Sequence, residues 1–277
     1  MKGRVQWEAL SLAGPGFLLI AGLLLIPLAR VLWMSFSEPV IGFQNYEPLI
    51  ESSGLRTILY TTFEVAFITT TISCALAFSV ALVLHFTTER VRKVMFFMIL
   101  VPLWLSSIVR IFDWLIIMER NGLLNSALLT LKVISEPLAI DYTMFAVLVG
   151  MVHYMLPYAI LPIYSNMREV DPQLIRAARG LGATRGIILR KIFLPLCFPG
   201  IVAAAALVFI LSLGFYVLPF ILGGGRVTML GEYIAVNMLD TGNWGVASMV
   251  AVVLLILILI IYGATRGIAG SSMRVSG

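Results

Sequence analysis

The ionisable side chains inside otherwise apolar stretches of the sequence include Glu64, Arg110, Asp113 and His153. A charged group in hydrocarbon is costly unless it finds a counter-charge, a hydrogen bond or water, so each residue is a candidate site. Counting about 1.5 Å per residue from the outer helix ends places Glu64 and Arg110 at similar depth, roughly 10–12 Å below the surface. This placement predicts an ion pair or a shared water-filled vestibule, and not catalysis.

The sequence leaves alternatives open for these residues. Asp113 follows Arg110 by one helical turn and would pair with it on the same helix face. Either pair is interpreted as structural, and a direct substrate contact is the alternative. His153 lies about halfway along its apolar stretch, where a hydrogen bond to a neighbouring helix is favoured over substrate binding or proton relay.

Motifs for hydrolysis or group transfer are absent from the sequence. It contains no G-x-x-x-x-G-K-[ST] phosphate loop, no H-E-x-x-H pair and no serine elbow. Its two cysteines, Cys74 and Cys197, offer neither a disulfide framework nor a metal-binding spacing. The chain is therefore predicted not to be an enzyme and to hold no metal, and any ATP hydrolysis linked to it belongs to a separate subunit.

Membrane-spanning helices are predicted to carry the ionisable residues. The 277 residues are 60% hydrophobic and 12% charged, with a mean hydropathy of +1.02, which excludes a soluble globule. Six apolar runs reach the roughly 20 residues that a helix needs to cross the hydrocarbon. They cover residues 14–36, 57–86, 94–118, 142–166, 199–222 and 245–265. The prediction is an all-α integral membrane protein with six transmembrane helices, one domain over 1–277 and a five-helix core over about 57–265.

The basic residues predict the orientation of these helices. Of the 19 Lys and Arg residues, 13 fall on one side of the predicted membrane and four in the opposite loops. The 13 include Lys2, Arg4, Arg266 and Arg274 at the two ends. Both termini and the loop after the fourth run are thus predicted to be cytoplasmic. The net charge of +5 follows this topology, so no nucleic-acid partner is expected.

The longest polar interruption runs from residue 171 to residue 201. Asp171 is placed to cap a short helix, and Pro172 suits its first turn. Gly180 and Gly182 are expected to end that helix, and a second one should run from about Thr184 to the prolines at 195 and 199. The expected apolar face comprises Leu174, Ile175, Ala178 and Leu181, opposite Gln173, Arg176, Arg179 and Gly180. A short amphipathic helix outside the membrane suits a groove on another protein.

The spacing of this interruption resembles the EAA loop of ATP-binding-cassette importer permeases. The matching residues are Ala177, Ala178, Gly182, Ile192, Leu194 and Pro195, and Pro199-Gly200-Ile201 continues the pattern. Arg176 stands where the family usually has Glu. The resemblance implies that residues 171–195 form a cytoplasmic coupling loop whose helix seats in a cleft of an ATPase subunit. The implied coupling residues are Leu174, Ile175, Arg176, Ala177, Ala178, Gly182 and Ala183.

A second group of motifs resembles permeases of the spermidine/putrescine type. It covers residues 101–104, 109–111, 114 and 120–125, and later 223–226, 230–231, 234 and 243–245. Permeases for opines, iron or sulfur oxyanions share parts of it. The resemblance implies a type I importer (MetI-like) fold in a bacterial inner membrane. Its subunit would move a small solute, a polyamine such as putrescine or spermidine first among the candidates, from periplasm to cytoplasm by alternating access.

The same resemblance implies the partners. They are a second permease subunit, two ABC ATPase subunits that hold ATP and Mg²⁺, and a periplasmic substrate-binding protein, with membrane lipid around the complex. This chain itself would bind no cofactor. The alternative of a different class is a stand-alone secondary transporter, which would usually show related halves and ion sites at the membrane midplane.

The predicted fifth span contains a candidate gate. Gly214 and Pro219 should bend or break its helix, with Phe215 and Tyr216 between them. A bent helix with aromatic residues would narrow a path through the membrane. The candidate translocation path therefore comprises Glu64, Arg110, Asp113, His153, Phe215 and Tyr216.

Overall fold

The structure is a computed structural model that describes residues 2–274, with side chains described for residues 14–265. This part of the chain is helical and contains no β-strand. The side chains of Lys2, Arg4, Arg266 and Arg274, which contributed to the predicted orientation, lie outside the described residues.

Thirteen α-helices run through the described residues. They are α1 (Lys2–Ser37), α2 (Glu47–Glu51), α3 (Ser53–Phe86), α4 (Glu89–Trp104), α5 (Ser107–Met118), α6 (Leu123–Thr130), α7 (Met144–Arg168), α8 (Pro172–Gly180), α9 (Arg185–Ile188), α10 (Leu194–Leu213), α11 (Val217–Gly223), α12 (Leu230–Leu239) and α13 (Trp244–Arg274). A 3₁₀ turn at Gln44–Tyr46 and a π turn at Leu189–Phe193 complete the secondary structure.

Five helical segments are long and apolar enough to cross a membrane. They are Gly14–Ser37, Ser53–Phe86, Met144–Arg168, Arg185–Leu213 and Trp244–Thr265. A sixth crossing is present if the bent pair Glu89–Trp104 and Ser107–Thr130 is counted as one span. The structure is thus all-helical with five or six apolar spans, as the composition indicates.

The predicted third span, residues 94–118, is not one straight helix. Helix α4 ends at Trp104, and the chain turns by 99° into the following helices. Leu105 and Ser106 both have extended backbone, with ψ of 146° and 133°. Extended residues cannot continue the i→i−4 ladder of hydrogen bonds, so the helix stops there. The turn sends α5, which carries Arg110, in a new direction.

The predicted fifth span breaks where its glycine and aromatic residues indicate. Helix α10 ends at Leu213, and α11 begins at Val217. Between them the Phe215 N–H bonds to the Ser212 carbonyl at 3.2 Å, which tightens the last turn. The expected break after Gly214 is confirmed.

Contacts divide the chain into two units, Met1–Leu55 with Ile234–Leu255 and Arg56–Tyr233 with Ile256–Gly277. In the first unit, the Asn45 side chain donates to the carbonyls of Ser35 at 3.0 Å and Glu38 at 2.6 Å. These bonds fasten the loop that follows α1. Helix α1 presents exposed apolar side chains over Phe17–Ile26, which suits contact with lipid or another subunit.

The second unit is built around α7. Its residues Met151, Met155, Ala159 and Ile163 recur every four positions and are fully buried. They belong to one core with α10, whose buried residues along the same spacing are Gly200, Ala204 and Val208. Small side chains on α10 allow the two helix axes to approach closely. Helix α7 therefore holds α10 in place, and it carries the candidate residue His153.

A glycine on α12 tests how tightly the second unit is packed. A Cβ at Gly231 would lie 2.9 Å from the Phe215 carbonyl oxygen and 3.3 Å from that of Gly214. These are backbone atoms at the α10–α11 break and cannot rotate away, so Gly231→Ala should lower the free energy of unfolding by about 1–3 kcal/mol. Thermal unfolding in detergent measures it. Gly263→Ala in α13 is the control, because a Cβ there meets no described atom within 4 Å. Equal melting temperatures for the two variants would contradict the packing.

Candidate functional site

Helix α8 forms the polar interruption as its sequence predicts. The Asp171 carboxylate accepts a hydrogen bond from the Gln173 N–H at 2.8 Å, which caps the first turn. Pro172 occupies the first helical position, where its missing N–H removes no helical bond. The local chemistry therefore places the start of the helix without help from the rest of the fold.

The buried face of α8 is narrower than the predicted apolar face. Ile175 and Ala178 are buried, whereas Leu174 is 48% exposed and Leu181 is 89% exposed. The predicted apolar face is therefore divided, with Ile175 and Ala178 in the core and Leu174 and Leu181 at the surface. The helix is only nine residues long, and one i, i+3 pair supplies its contact with the core. Arg176 and Ala177 are exposed and Ala183 is half-buried, so much of the predicted coupling surface is free.

A glycine ends α8 in a Schellman motif. Gly182 has a φ of +80°. Its N–H bonds to the Arg179 carbonyl at 3.0 Å, and the Ala183 N–H bonds to the Ala178 carbonyl at 3.0 Å. This pair of bonds satisfies two carbonyls at the end of the helix and needs a residue in the left-handed region, which glycine adopts without steric cost. The expected glycine end of the helix is confirmed at Gly182.

The chain after this turn differs from the single helix predicted up to the prolines. Helix α9 is followed at once by the π turn, in which the Leu194 N–H bonds to the Leu189 carbonyl. Pro195 then lies in the first turn of α10, where a missing N–H is tolerated, and Pro199 lies inside α10. The expectation that these prolines end a helix is wrong. A cavity of about 460 Å³ lies between this segment, α8 and the end of α3, with Arg179 and Arg185 in its lining.

The candidate path residues group around a contact of Arg110 with Tyr154, and not around the predicted Arg110–Glu64 pair. Arg110 is 5% exposed, and its guanidinium carbon lies 4.1 Å from the centre of the Tyr154 ring on α7. A cation over an aromatic face is stabilised by the ring quadrupole. The guanidinium nitrogens Nε and Nη1 are enclosed and find no hydrogen-bond acceptor among the described residues.

Neither predicted ion pair of Arg110 forms. Within residues 14–265 the one ion pair closer than 4.0 Å is Lys93–Glu89, so the proposed pairing with Glu64 or Asp113 is wrong in this structure. The depth estimate assumed a straight third span, and the 99° turn before α5 removes that premise. Glu64 is half-buried on α3, whereas Asp113 is exposed on α5 although Arg110 on the same helix is buried.

His153 forms the hydrogen bond to a neighbouring helix that its position indicates. The Trp114 indole N–H on α5 donates to His153 Nδ1 at 3.1 Å, and the two rings meet edge to face with centroids 5.5 Å apart. Because Nδ1 accepts, the neutral ring carries its proton on Nε2. The structural interpretation of His153 is confirmed, and it ties α5 to α7 beside Arg110.

Tyr154 links this group of side chains to the break in the fifth span. Its ring meets that of Phe215 edge to face at 4.8 Å, and its hydroxyl lies 2.9 Å from the Ser107 hydroxyl. We call Ser107, Arg110, Trp114, His153, Tyr154 and Phe215 the arginine–aromatic cluster. Tyr216 packs on Phe220 at 5.7 Å. Three of the six predicted path residues, Arg110, His153 and Phe215, are therefore brought together.

Sequence reasoning missed Tyr154 and Ser107 as members of this cluster. Ser107 lies one turn before Arg110 on α5, so the spacing along α5 gave a signal for Ser107. Tyr154 follows His153 directly on α7. The contact of Tyr154 with Arg110 joins helices far apart in sequence. No periodicity within either helix reveals it.

A further acidic residue that the sequence did not single out is buried on α12, which is not among the membrane-length helices. Glu232 is 5% exposed, and its Oε2 atom has no hydrogen-bond partner in the described part of the chain. Burial raises the pKa of the Glu232 carboxyl from its ordinary value of 4.5, and a backbone hydrogen bond at Met229 opposes the rise. The fold therefore shifts the protonation equilibrium of Glu232 toward the neutral acid.

Known proteins similar to this chain agree on its class. A model of the family described as "Binding-protein-dependent transport system inner membrane component" matches residues 74–270. The chain is 32% identical over 231 residues to the spermidine/putrescine transport system permease protein PotB of Salmonella typhimurium (strain SL1344), covering 82% of this chain and 80% of that protein. It is also 30% identical over 149 residues to the permease protein PotC of Shigella flexneri, covering 54% and 56% of the two chains.

A solved structure shares the fold. It is a bacterial alginate ABC transporter in complex with an alginate pentasaccharide-bound periplasmic protein. One of its chains superposes with a TM-score of 0.77, covering 96% of both chains at 17% sequence identity. The arrangement of helices is therefore one that ABC importers use.

Replacing the buried acid should change how stability depends on pH. Because the folded-state pKa of Glu232 is raised, its contribution to stability is fully present below the ordinary pKa and is lost as the pH rises through the raised value. Glu232→Gln should therefore melt at a higher temperature than the wild type at pH 8, and the difference should shrink toward pH 4. Thermal unfolding in detergent across this range measures it. Glu51→Gln, at an exposed carboxyl, is the control, and a pH-independent difference for Glu232→Gln would contradict the assignment.

Proposed function

This chain belongs to the family of binding-protein-dependent transport system inner membrane components, and we propose that the cargo it passes is a polyamine. It is a multi-pass permease subunit of an ABC importer. The alternative of a stand-alone secondary transporter is thereby excluded. The observation that carries the cargo proposal is the 32% identity to a permease named for spermidine and putrescine over most of both chains.

In the proposed assembly, this subunit pairs with a second permease. Two ATPase subunits bind ATP and Mg²⁺ on the cytoplasmic side, and a periplasmic protein delivers the cargo. The excess of basic residues in the loop around α8 supports a cytoplasmic position for that loop and for both termini. No residue of this chain is catalytic in this scheme, because the energy arrives as movement of the ATPase subunits.

Helix α8 supplies the docking surface for an ATPase subunit. Leu174, Ala177 and Leu181 are exposed on it although they are apolar, and a partner groove would remove them from water. Ile175 and Ala178 hold the opposite side of the helix in the core. A displacement of α8 would thus move Ile175 and Ala178 and, with them, the core residues that they contact. Arg176 is exposed, so an ATPase subunit that pairs with it would present an acidic group.

Alternating access then needs the membrane path to open on one side at a time. The arginine–aromatic cluster joins α5, α7 and the start of the α10–α11 break. Movement of α10 relative to α7 would separate Phe215 from Tyr154. The cluster is thus the proposed constriction of the path.

A cargo bearing a carboxylate is the second candidate. The specific observation in its favour is the buried guanidinium of Arg110, whose enclosed nitrogens have no acceptor in the described residues. A polyamine carries only positive charge and would be repelled by Arg110, whereas an opine or other amino-acid-derived solute would bring an acceptor. The two cargo classes therefore make opposite demands on this site.

Uptake by the reconstituted importer decides between them. Proteoliposomes would hold this chain with the second permease, ATPase and binding protein encoded beside it. Labelled putrescine, spermidine, an opine and a sulfur oxyanion would be tested in parallel. We expect ATP-dependent uptake of the two polyamines that stops when the ATPase is left out. Uptake of the opine alone would reject the polyamine proposal, and uptake by this chain without the ATPase would reject the coupling role.

The turn that ends α8 offers a test of coupling. Gly182→Val places a β-branched residue at a φ of +80°, which costs about 1–2 kcal/mol or more and opens the Schellman motif. The reoriented α8 should transmit less movement, so the uptake per ATP hydrolysed should fall several-fold while the complex still hydrolyses ATP. Gly186→Val in α9 is the control, since a Cβ there meets no described atom within 4 Å. Wild-type coupling in Gly182→Val would contradict the docking role of α8.

A further inference from the structure

We propose that Arg110 receives a carboxylate from the second permease subunit, so that the polar stripe on α5 is part of the interface between the two permeases. The proposal rests on the proposed function only in requiring a pore made of two permeases. It assigns to this surface a partner group of defined chemistry.

Arg110 needs an acceptor that the described part of this chain does not supply. The residue is 95% removed from solvent contact, and Nε and Nη1 are enclosed without an acceptor in the described residues. The Tyr154 ring face covers one side of the guanidinium, and the Tyr154 hydroxyl is already engaged with Ser107. A ring face stabilises a cation but accepts no N–H hydrogen bond of ordinary strength. A buried charge left in this condition is strongly unfavourable.

The two carboxylates that the sequence predicted as partners of Arg110, Asp113 and Glu64, do not pair with it. Asp113 is one turn from Arg110 on α5 yet exposed, and neither it nor Glu64 comes within 4.0 Å of a basic group within residues 14–265. The residual exposed surface of Arg110 does not lie on Nε or Nη1. Nη2 is consequently the nitrogen that an external carboxylate reaches, through a charge-assisted hydrogen bond.

Helix α5 shows where that carboxylate would come from. Ser107 and Asp113 flank Arg110 at one turn on either side, and both are exposed. The neighbouring exposed residues Val109 and Phe112 are apolar, as expected for a helix within the membrane. The exposed carboxyl of Asp113 on such a helix cannot face lipid tails, so the stripe of Ser107, Arg110 and Asp113 must meet protein or water.

A second permease fits this stripe better than the cargo does. A counter-charge supplied by the cargo would leave Arg110 unpaired in every empty state of the cycle, whereas a residue of a permanent partner would remain in place. Two different permeases named for one transport system, PotB and PotC, are both similar to this chain. A partner of similar fold would bring a corresponding helix, and acidic groups on it would complement Arg110.

Co-purification tests the proposal without any cargo. Affinity-tagged chain would be co-expressed with the second permease, ATPase and binding protein, extracted in mild detergent and analysed for the second permease. Arg110→Gln should reduce the recovered second permease by about tenfold or more, because it leaves the partner carboxylate unpaired. Arg110→Lys keeps the charge but not the planar guanidinium, and its recovery of the second permease should lie between those of the wild type and Arg110→Gln. Arg226→Gln, at an exposed arginine, is the matched control.

A misfolded variant is told apart by the melting temperature of the isolated chain. Arg110→Gln removes an unpaired buried charge, so the chain purified alone should melt no lower than the wild type while the complex falls apart. If it melts lower, the charge-reversal series decides. In the Arg110→Glu background, each Asp and Glu in the apolar segments of the second permease is changed to Arg in turn, and one such change should restore co-purification.

Two results would overturn the proposal. One is wild-type recovery of the second permease with Arg110→Gln while uptake falls, which would assign the carboxylate to the cargo. The other is a charge-reversal series in which no change in the second permease restores assembly. An error in the polyamine assignment would leave both readouts unchanged. Purification of the wild-type chain without any second, different permease would instead contradict the proposed two-permease pore.

Discussion

Hydrocarbon supplies neither donors nor acceptors, so every backbone amide and carbonyl in a membrane segment must be paired by the protein itself. This constraint explains why the membrane-length segments of the described chain are helical. The interruptions at Leu105–Ser106 and Gly214–Tyr216 each free backbone groups that a continuous helix would satisfy. The arginine–aromatic cluster lies between these two interruptions. The fold thus brings irregular backbone, aromatic rings and a buried cation together in one region.

Helix α7 connects that region to the polar loop. His153 and Tyr154 hold α5 from the middle of the helix, and its last residue, Arg168, precedes α8 by three residues. The buried series from Met151 to Ile163 packs α7 on the core. Such a packed helix transmits displacement instead of absorbing it. Helix α7 thus shares one packed core with the buried residues of α8, Ile175 and Ala178, and carries two side chains of the cluster.

Sequence reasoning predicted the parts of this structure that depend on local chemistry. Hydropathy located the spans, Asp171 and Pro172 located the start of α8, and Gly182 located its end. It did not predict the 99° turn after Trp104, because Leu105 and Ser106 are ordinary residues whose extended backbone is set by tertiary packing. The wrong partner predicted for Arg110 has the same cause, the unpredicted turn. Depth along a presumed straight helix favoured Glu64, whereas the turned helix places the guanidinium on Tyr154. The prolines also misled: Pro195 lies in the first turn of α10, where a proline costs little, and α10 continues through Pro199.

The π turn at Leu189–Phe193 gives the junction between α9 and α10 a property that a straight helix lacks. Its bonds close over five residues instead of four, so this turn holds one residue more than an α-helical turn would. If the surplus residue shifts along the chain by one register, the residues it passes rotate about the helix axis by about 100° while remaining hydrogen-bonded. At this junction α10 would then twist about its own axis, a movement that a regular α-helix cannot make without breaking hydrogen bonds.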